Sequence, residues 1–376
     1  MISKKVWTTC ILAGALGAMA AAYFLLPLLH RAKQPGLELL ELLPPDMDLY
    51  AVADVQSLGR NLFVQKLLSN PAGFPRDAEY EQFIQATGFH YESDLNRLAL
   101  AKAGPDWVGA ARISADRARM VHYLESQGAE EKNESGKTIV TVGHFRFFRL
   151  VFLNDNAKDT VVAFSVGGDA TQIRQAIERH AGRLRGSAAS EIEQKRYLNH
   201  IAAGSQFWLM ARPDRLLEIA QRGEAGASRP VAGREEALAG EQAVHSPRKG
   251  GATDQQLGGE IQIGPYALNS NFFRGSKMLY VSLESGAEGL SFRVEDYCDN
   301  PSTAQRIASS IQGMLALVQM APSDKSKLSN KSKAAGINVK SLLAGMAVEQ
   351  VKESVFLRWQ WDEGTLGFLE GKNNDQ

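Results

Sequence analysis

The stretch "KTIVTVGHFRFFRLVFLNDNAKDTVVAFSVGGDATQIRQAIERHAG", residues 137–182, decides the fold class. Three runs within it, 137–143, 145–153 and 159–167, are apolar, β-branched and aromatic, with only a few residues between them. Such runs read as strands, and gaps this short allow antiparallel hairpins only. The last part, 168–182, has helical spacing, opens at Asp169 and stops at Gly182. Hairpins combined with helices imply a sheet with one covered face, so the class is α+β.

The same grammar extends in both directions. Upstream, "DLYAVADV" (48–55) reads as a strand. Helices are expected over 57–70 with Ser57 as cap, over 77–89, and over 114–128 with Ser114 as cap. Strands are expected at 95–103 and 107–113. Downstream come a strand at 206–211, a helix at 212–221, strands at 277–285 and 290–298, a helix at 301–320 opened by Pro301, and a strand at 353–361. That second-half order is β-α-β-β-α-β, and residues 48–143 allow it with one extra helix. Two segments fall outside either core. Residues 222–258 lack aromatics and balance five basic against five acidic residues, so they read as a disordered insertion. "SDKSKLSNKSKAAG" (323–336) reads as a basic loop, either simply solvated or in contact with anionic lipid or polymer.

At the amino terminus, Val6 to Leu29 carries no charge and follows Lys4 and Lys5. It is long enough for a bilayer core, which needs about 20 apolar residues. Cys10 has only four residues between it and the lysines, too short a lead-in for a lipoprotein signal. Small-x-small sites at Ala18-Met19-Ala20 and Ala20-Ala21-Ala22 leave cleavage as the alternative, although the apolar run continues past both. The expectation is an uncleaved single-pass anchor with the body outside the cytoplasm. The expected architecture is therefore α+β: an N-terminal transmembrane helix followed by two antiparallel-sheet domains, ferredoxin-like (βαββαβ) in type. The expected boundaries are anchor 1–33, tether 34–47, first domain 48–185 and second domain 186–376 around the insertion.

Composition removes several function classes. Lys+Arg and Asp+Glu balance at 42 each across 376 residues, so no global field draws nucleic acid. The two cysteines, Cys10 in the apolar run and Cys298 in a charged turn, build neither a disulfide framework nor a zinc site. Ser135-Gly136-Lys137-Thr138 imitates a phosphate loop, but Glu131 stands where the leading Gly belongs and a strand follows where a helix is required. A hairpin turn is the better reading. There is no Gly-x-Ser-x-Gly and no His-Glu-x-x-His, and the seven histidines form no i,i+3 or i,i+4 pair. Asp46 and Asp48 read as a turn and a cap. No cofactor, metal or catalytic residue is assigned. Among the aromatics, Phe272 and Phe273 stand out in the polar context "NSNFFRGS", as a partner contact or as a segment docked on the sheet.

"LLPPDMDLYAVADVQSL", "GFHYESDLNRLALA" and "FSVGGDATQIRQAIE", behind an N-terminal apolar segment, resemble a group of bacterial envelope proteins with a tandem α+β region. The resemblance covers most of residues 40–320. It implies an anchored, extracytoplasmic protein and carries no catalytic residue with it. The functional expectation is a membrane-anchored, non-enzymatic protein that binds a partner protein or an envelope polymer. The alternative is an envelope hydrolase whose site is assembled from distant residues.

Overall fold

Alternating apolar runs become most of the strands. Before β8 these are β1 (Leu49–Ala53), β2 (Leu95–Ala103), β3 (Asp106–Ile113), β4 (Glu130–Glu134), β5 (Lys137–Val142), β6 (Phe148–Phe152) and β7 (Thr160–Val166). Then come β8 (Phe207–Ala211), a short hairpin of β9 (Glu260–Ile263) and β10 (Tyr266–Asn269), β11 (Ser276–Gly286), β12 (Gly289–Cys298), β13 (Ala347–Val351) and β14 (Ser354–Trp361). The helices are α1 (Leu37–Leu40), α2 (Val55–Gly59), α3 (Leu62–Leu68), α4 (Ala78–Thr87), α5 (Tyr91–Asp94), α6 (Arg117–Ser126), α7 (Thr171–His180), α8 (Ala188–Gln194) and α9 (Pro301–Met320). This computed structural model describes residues 36–362 except 69–77, 144–147, 155, 157, 168–169, 216–259, 264–265, 287–288, 321–342 and 344.

Twelve strands form one sheet, in the order β13-β14-β12-β11-β8-β1-β2-β3-β7-β6-β5-β4. Every neighbouring pair is antiparallel. Directly opposed residues share a face, so the register sorts the side chains. On one face, here the near face, Val52, Ala99, Ala110, Ala163, Val151, Ile139 and Trp208 join Leu39, Leu40, Ile173, Ile177 and Ile192 from α1, α7 and α8 in the largest core. On the far face, α4 and α6 cover Ala111, Ile113, Phe152 and Val162. Farther along that face, α9 covers Cys298 and Val355, and Phe63 of α3 meets Leu290.

The expectation of two ferredoxin-like domains is corrected: the two halves share one sheet. β1 pairs with β8 from Leu49↔Ala211 to Ala53↔Phe207, so the edges of two separate sheets do not exist. The ferredoxin-like order interleaves its strands, so that the two strands flanking each helix run parallel with another strand between them. Here β1, β2 and β3, and likewise β8, β11 and β12, lie side by side in chain order, and β4 and β13 add one reversal each after α6 and α9. Thus β7 lies beside β3, and β14 beside β12. The sequence expectation omits both strands for a physical reason. β4 is "EEKNE" and β13 is "AVEQV", edge strands without an apolar alternation of their own.

The expected transmembrane helix is likewise not part of this fold. Its segment, Val6 to Leu29, lies outside the described residues, and among the described residues no helix is long and apolar enough to cross a membrane. The expected insertion at 222–258 and basic loop at 323–336 also lie outside the described residues. Within 34–47, expected as a tether, Leu37, Leu39, Leu40, Leu42 and Leu43 are buried in the near-face core. The helix expected over 57–70 is two helices. The first is capped by Asp54, whose side chain accepts from Ser57 N–H at 2.9 Å. The cap of α6 is Asp116 in place of Ser114.

Candidate functional site

The best candidate for chemistry lies on the near face, where a charged side chain interrupts an apolar row. Cross-strand register puts Tyr50, Met210, Tyr280 and Glu295 in line on β1, β8, β11 and β12. A 3-10 turn, Tyr197–His200, lies against that row. His200 stacks on Tyr280 with ring centroids 4.6 Å apart and planes 9° apart, and Tyr297 flanks it at 5.4 Å. Glu295 is only 3% exposed. Its Oε1 accepts from His200 Nδ1–H at 2.8 Å and from the Ser354 hydroxyl at 2.8 Å, and the Arg293 guanidinium lies 3.4 Å from Oε2. Burial alone would raise the Glu295 pKa. The hydrogen bonds from His200 and Ser354 outweigh it and hold the carboxyl below its usual range.

Histidine, carboxylate and serine meet here in the wrong order for an acyl-transfer triad. In a triad the histidine stands between the acid and the hydroxyl and takes the hydroxyl proton. Here the carboxylate stands in the middle, and the Ser354 hydroxyl donates its hydrogen bond to Glu295. What remains is a half-exposed imidazole, oriented by a buried carboxylate, with its other nitrogen available for proton exchange.

A second cluster holds the chain entry to α8. Glu191, 8% exposed, accepts from Asp46 N–H at 2.6 Å, from the Tyr50 hydroxyl at 2.9 Å and from the Lys195 ammonium. Against the cost of burial, the Lys195, Asp46 and Tyr50 hydrogen bonds bring the Glu191 pKa below its ordinary value. Burial, with Glu191 beside it, drives that of Tyr50 up. Leu43 O also accepts from Ala188 N–H at 2.9 Å. The "LLPPDMDLY" motif is therefore a clamp between the entering chain and α8. The "GDATQIRQAIE" motif is equally structural, since Ile173, Ala176 and Ile177 bury the inner stripe of α7.

A third group lies on the far face under α9. Asp296 is 2% exposed, its Oδ1 accepts from the Ser276 hydroxyl, and its Oδ2 has no hydrogen-bond partner. Burial pushes its pKa up to about 6, while the Ser276 hydrogen bond and Arg306 act in the other direction. Cys298, expected in a charged turn, is instead buried at the end of β12, and burial pushes its thiol up to about 12.

The residues singled out from the sequence do not converge. Phe272 and Phe273 pack edge-on at 4.9 Å, half-buried, and Phe272 rests on the Cys298–Ile307 cluster while Arg306 bonds its carbonyl at 3.4 Å. Ser135 and Gly136 form the β4–β5 turn with φ of 54° and 75°, the left-handed pair of a type I′ hairpin, as the sequence implies. Asp48 accepts from Gly104 N–H at 3.1 Å and lies 3.8 Å from both Arg212 and Arg215. No group of three metal-ligating side chains stands together among the described residues. An open cleft of about 510 Å³ is lined by Ser114, Ala115, Asp116, Arg117, Ala118 and Lys158, and the Ser114 hydroxyl in it donates to the Lys158 carbonyl at 3.2 Å. His200 and Glu295 went unnoticed in the sequence because they are 95 residues apart. The one local signal is the acidic pair Glu295-Asp296 within the strand β12.

No protein-family model matches the chain, and no curated protein matches it. Crystal structures of TP0453 resemble it at low similarity. Crystal form III has a TM-score of 0.45 at 9% identity, covering 89% of this chain and 97% of that one. Form I has 0.41 at 9%, covering 88% and 96%, and form IV has 0.41 at 10%, covering 87% and 96%.

Proposed function

We propose that this chain is an exported, non-enzymatic envelope protein whose α+β body binds a partner protein or an envelope polymer. Export is supported by the apolar segment behind Lys4 and Lys5, and the envelope by the resemblance of the three motifs quoted above. The observation that carries the non-enzymatic reading is the saturation of Glu295: two donors converge on one oxygen, and Ser354 is directed at the carboxylate rather than at His200. The proposed contact is the pair Phe272 and Phe273, both half-buried.

Site-specific photo-crosslinking from position 273 in cells tests this. A discrete protein or polymer adduct, reduced by Phe272→Ala, is the expected result. An absence of any adduct, with a purified chain that hydrolyses ester, peptide or glycoside substrates, would overturn it. The second reading, a hydrolase with a non-local site, rests on the oriented imidazole of His200. It requires that His200→Ala abolish such turnover while the fold is retained.

A further inference from the structure

Helix α9 carries two apolar stripes, and the sheet covers only one of them. Ala304, Ile307 and Ala308 are buried and Ile311 packs beside them, all over β12, β14 and β13. The last turns carry a second stripe, Gly313, Ala316, Leu317 and Met320, spaced by three and four residues along one side. Leu317 is 57% exposed and Met320 71%. From Ile307 to Met320 there is no charged residue. A soluble surface helix normally places its charges on such a side.

The chain that follows supplies what the helix lacks. Residues 321–342 contain five lysines, at 325, 327, 331, 333 and 340, against the single Asp324. These residues lie outside the described structure and enter only through their charge. We infer that the exposed stripe of α9 docks onto an anionic lipid surface, with the helix lying in the plane of the interface. Apolar side chains entering the headgroup boundary and lysines beside anionic headgroups are the two terms that bind interfacial helices. α9, at 20 residues, is not apolar enough to cross a membrane, so the inference places it on the surface rather than through it. A second copy of the chain is the weaker occupant, because stripe-to-stripe docking would bring two lysine-rich segments together. The inference is independent of the partner-binding proposal, which involves other residues.

The test uses the full chain with Leu317→Cys labelled by an environment-sensitive fluorophore and Cys10→Ser to keep labelling specific. Recruitment of the whole chain would not separate α9 from the apolar segment at 6–29, whereas a probe at 317 reports its own surroundings. Phosphatidylglycerol-containing vesicles should shift the emission to the blue, and phosphatidylcholine vesicles should not. Raising the salt should reverse the shift, and K325Q/K327Q/K331Q/K333Q should raise the lipid concentration for half-maximal shift at least about tenfold. No shift, an equal shift on neutral vesicles, or a shift that grows with protein concentration without vesicles would each overturn the inference. The last of these would assign the stripe to a second copy. The salt arm uses no further substitution and remains decisive if the lysine variant misfolds.

Discussion

At the scale of single residues, Asp296 is a carboxyl whose environment works against its charged form. A carboxyl that titrates at 3.8 when free titrates at about 6 here, because the strand and α9 desolvate it and Ser276 satisfies only one oxygen. With the folded value raised, the folded state binds the proton more tightly than the unfolded chain does. The stabilising contribution is complete below 3.8 and is lost as pH rises to about 6. Asp296→Asn should therefore be more stable than the parent above that window, by at most about 3 kcal/mol. Denaturant melts on both sides of the window check this, and the variant should show a flatter pH profile than the parent.

At the scale of elements, the entering chain and α8 are joined through one carboxylate. Glu191 satisfies Asp46 N–H, the Tyr50 hydroxyl and Lys195 across 141 to 145 residues of sequence, apart from the local lysine. Glu191→Ala would leave the Asp46 N–H without its acceptor and the Tyr50 hydroxyl with the Pro44 carbonyl alone, a loss of about 1–3 kcal/mol. Thermal unfolding measures it, and Tyr50→Phe, which removes one donor, should cost less. The element scale also shows what a sequence can and cannot disclose. β2 runs over the residues expected, 95–103, and α9 over 301–320, because period and capping are local properties. β4 and β13 escaped because an edge strand needs no apolar face, and α8 because its short "AASEIEQ" has little periodicity. Gly109 is legible only in three dimensions: the Phe164 ring of β7 lies over it and fills the place of a side chain.

At the scale of the whole molecule, the β1–β8 seam makes one sheet from two halves with a common order. On each side a central strand is followed by a hairpin, a far-face helix, and strands that return beside the hairpin. Trp208 sits at the seam with no exposed surface, packed in the core that α1, α7 and α8 share with the sheet. Unfolding followed by far-UV circular dichroism and by tryptophan fluorescence should give coincident transitions. Trp208→Ala should lower stability by about 3–5 kcal/mol and leave a single transition. Two separated transitions would mean that the halves fold independently. The sequence by itself determined the α+β class, most strand positions, the hairpin turn at Ser135-Gly136 and the absence of local catalytic motifs. These follow from alternation, spacing and turn chemistry within a few residues. Only the tertiary structure decided that the halves share a sheet, that β7 pairs with β3 and β14 with β12, and that His200 meets Glu295. Strand order depends on how many times the chain reverses between distant partners, and two short polar strands were enough to change that number.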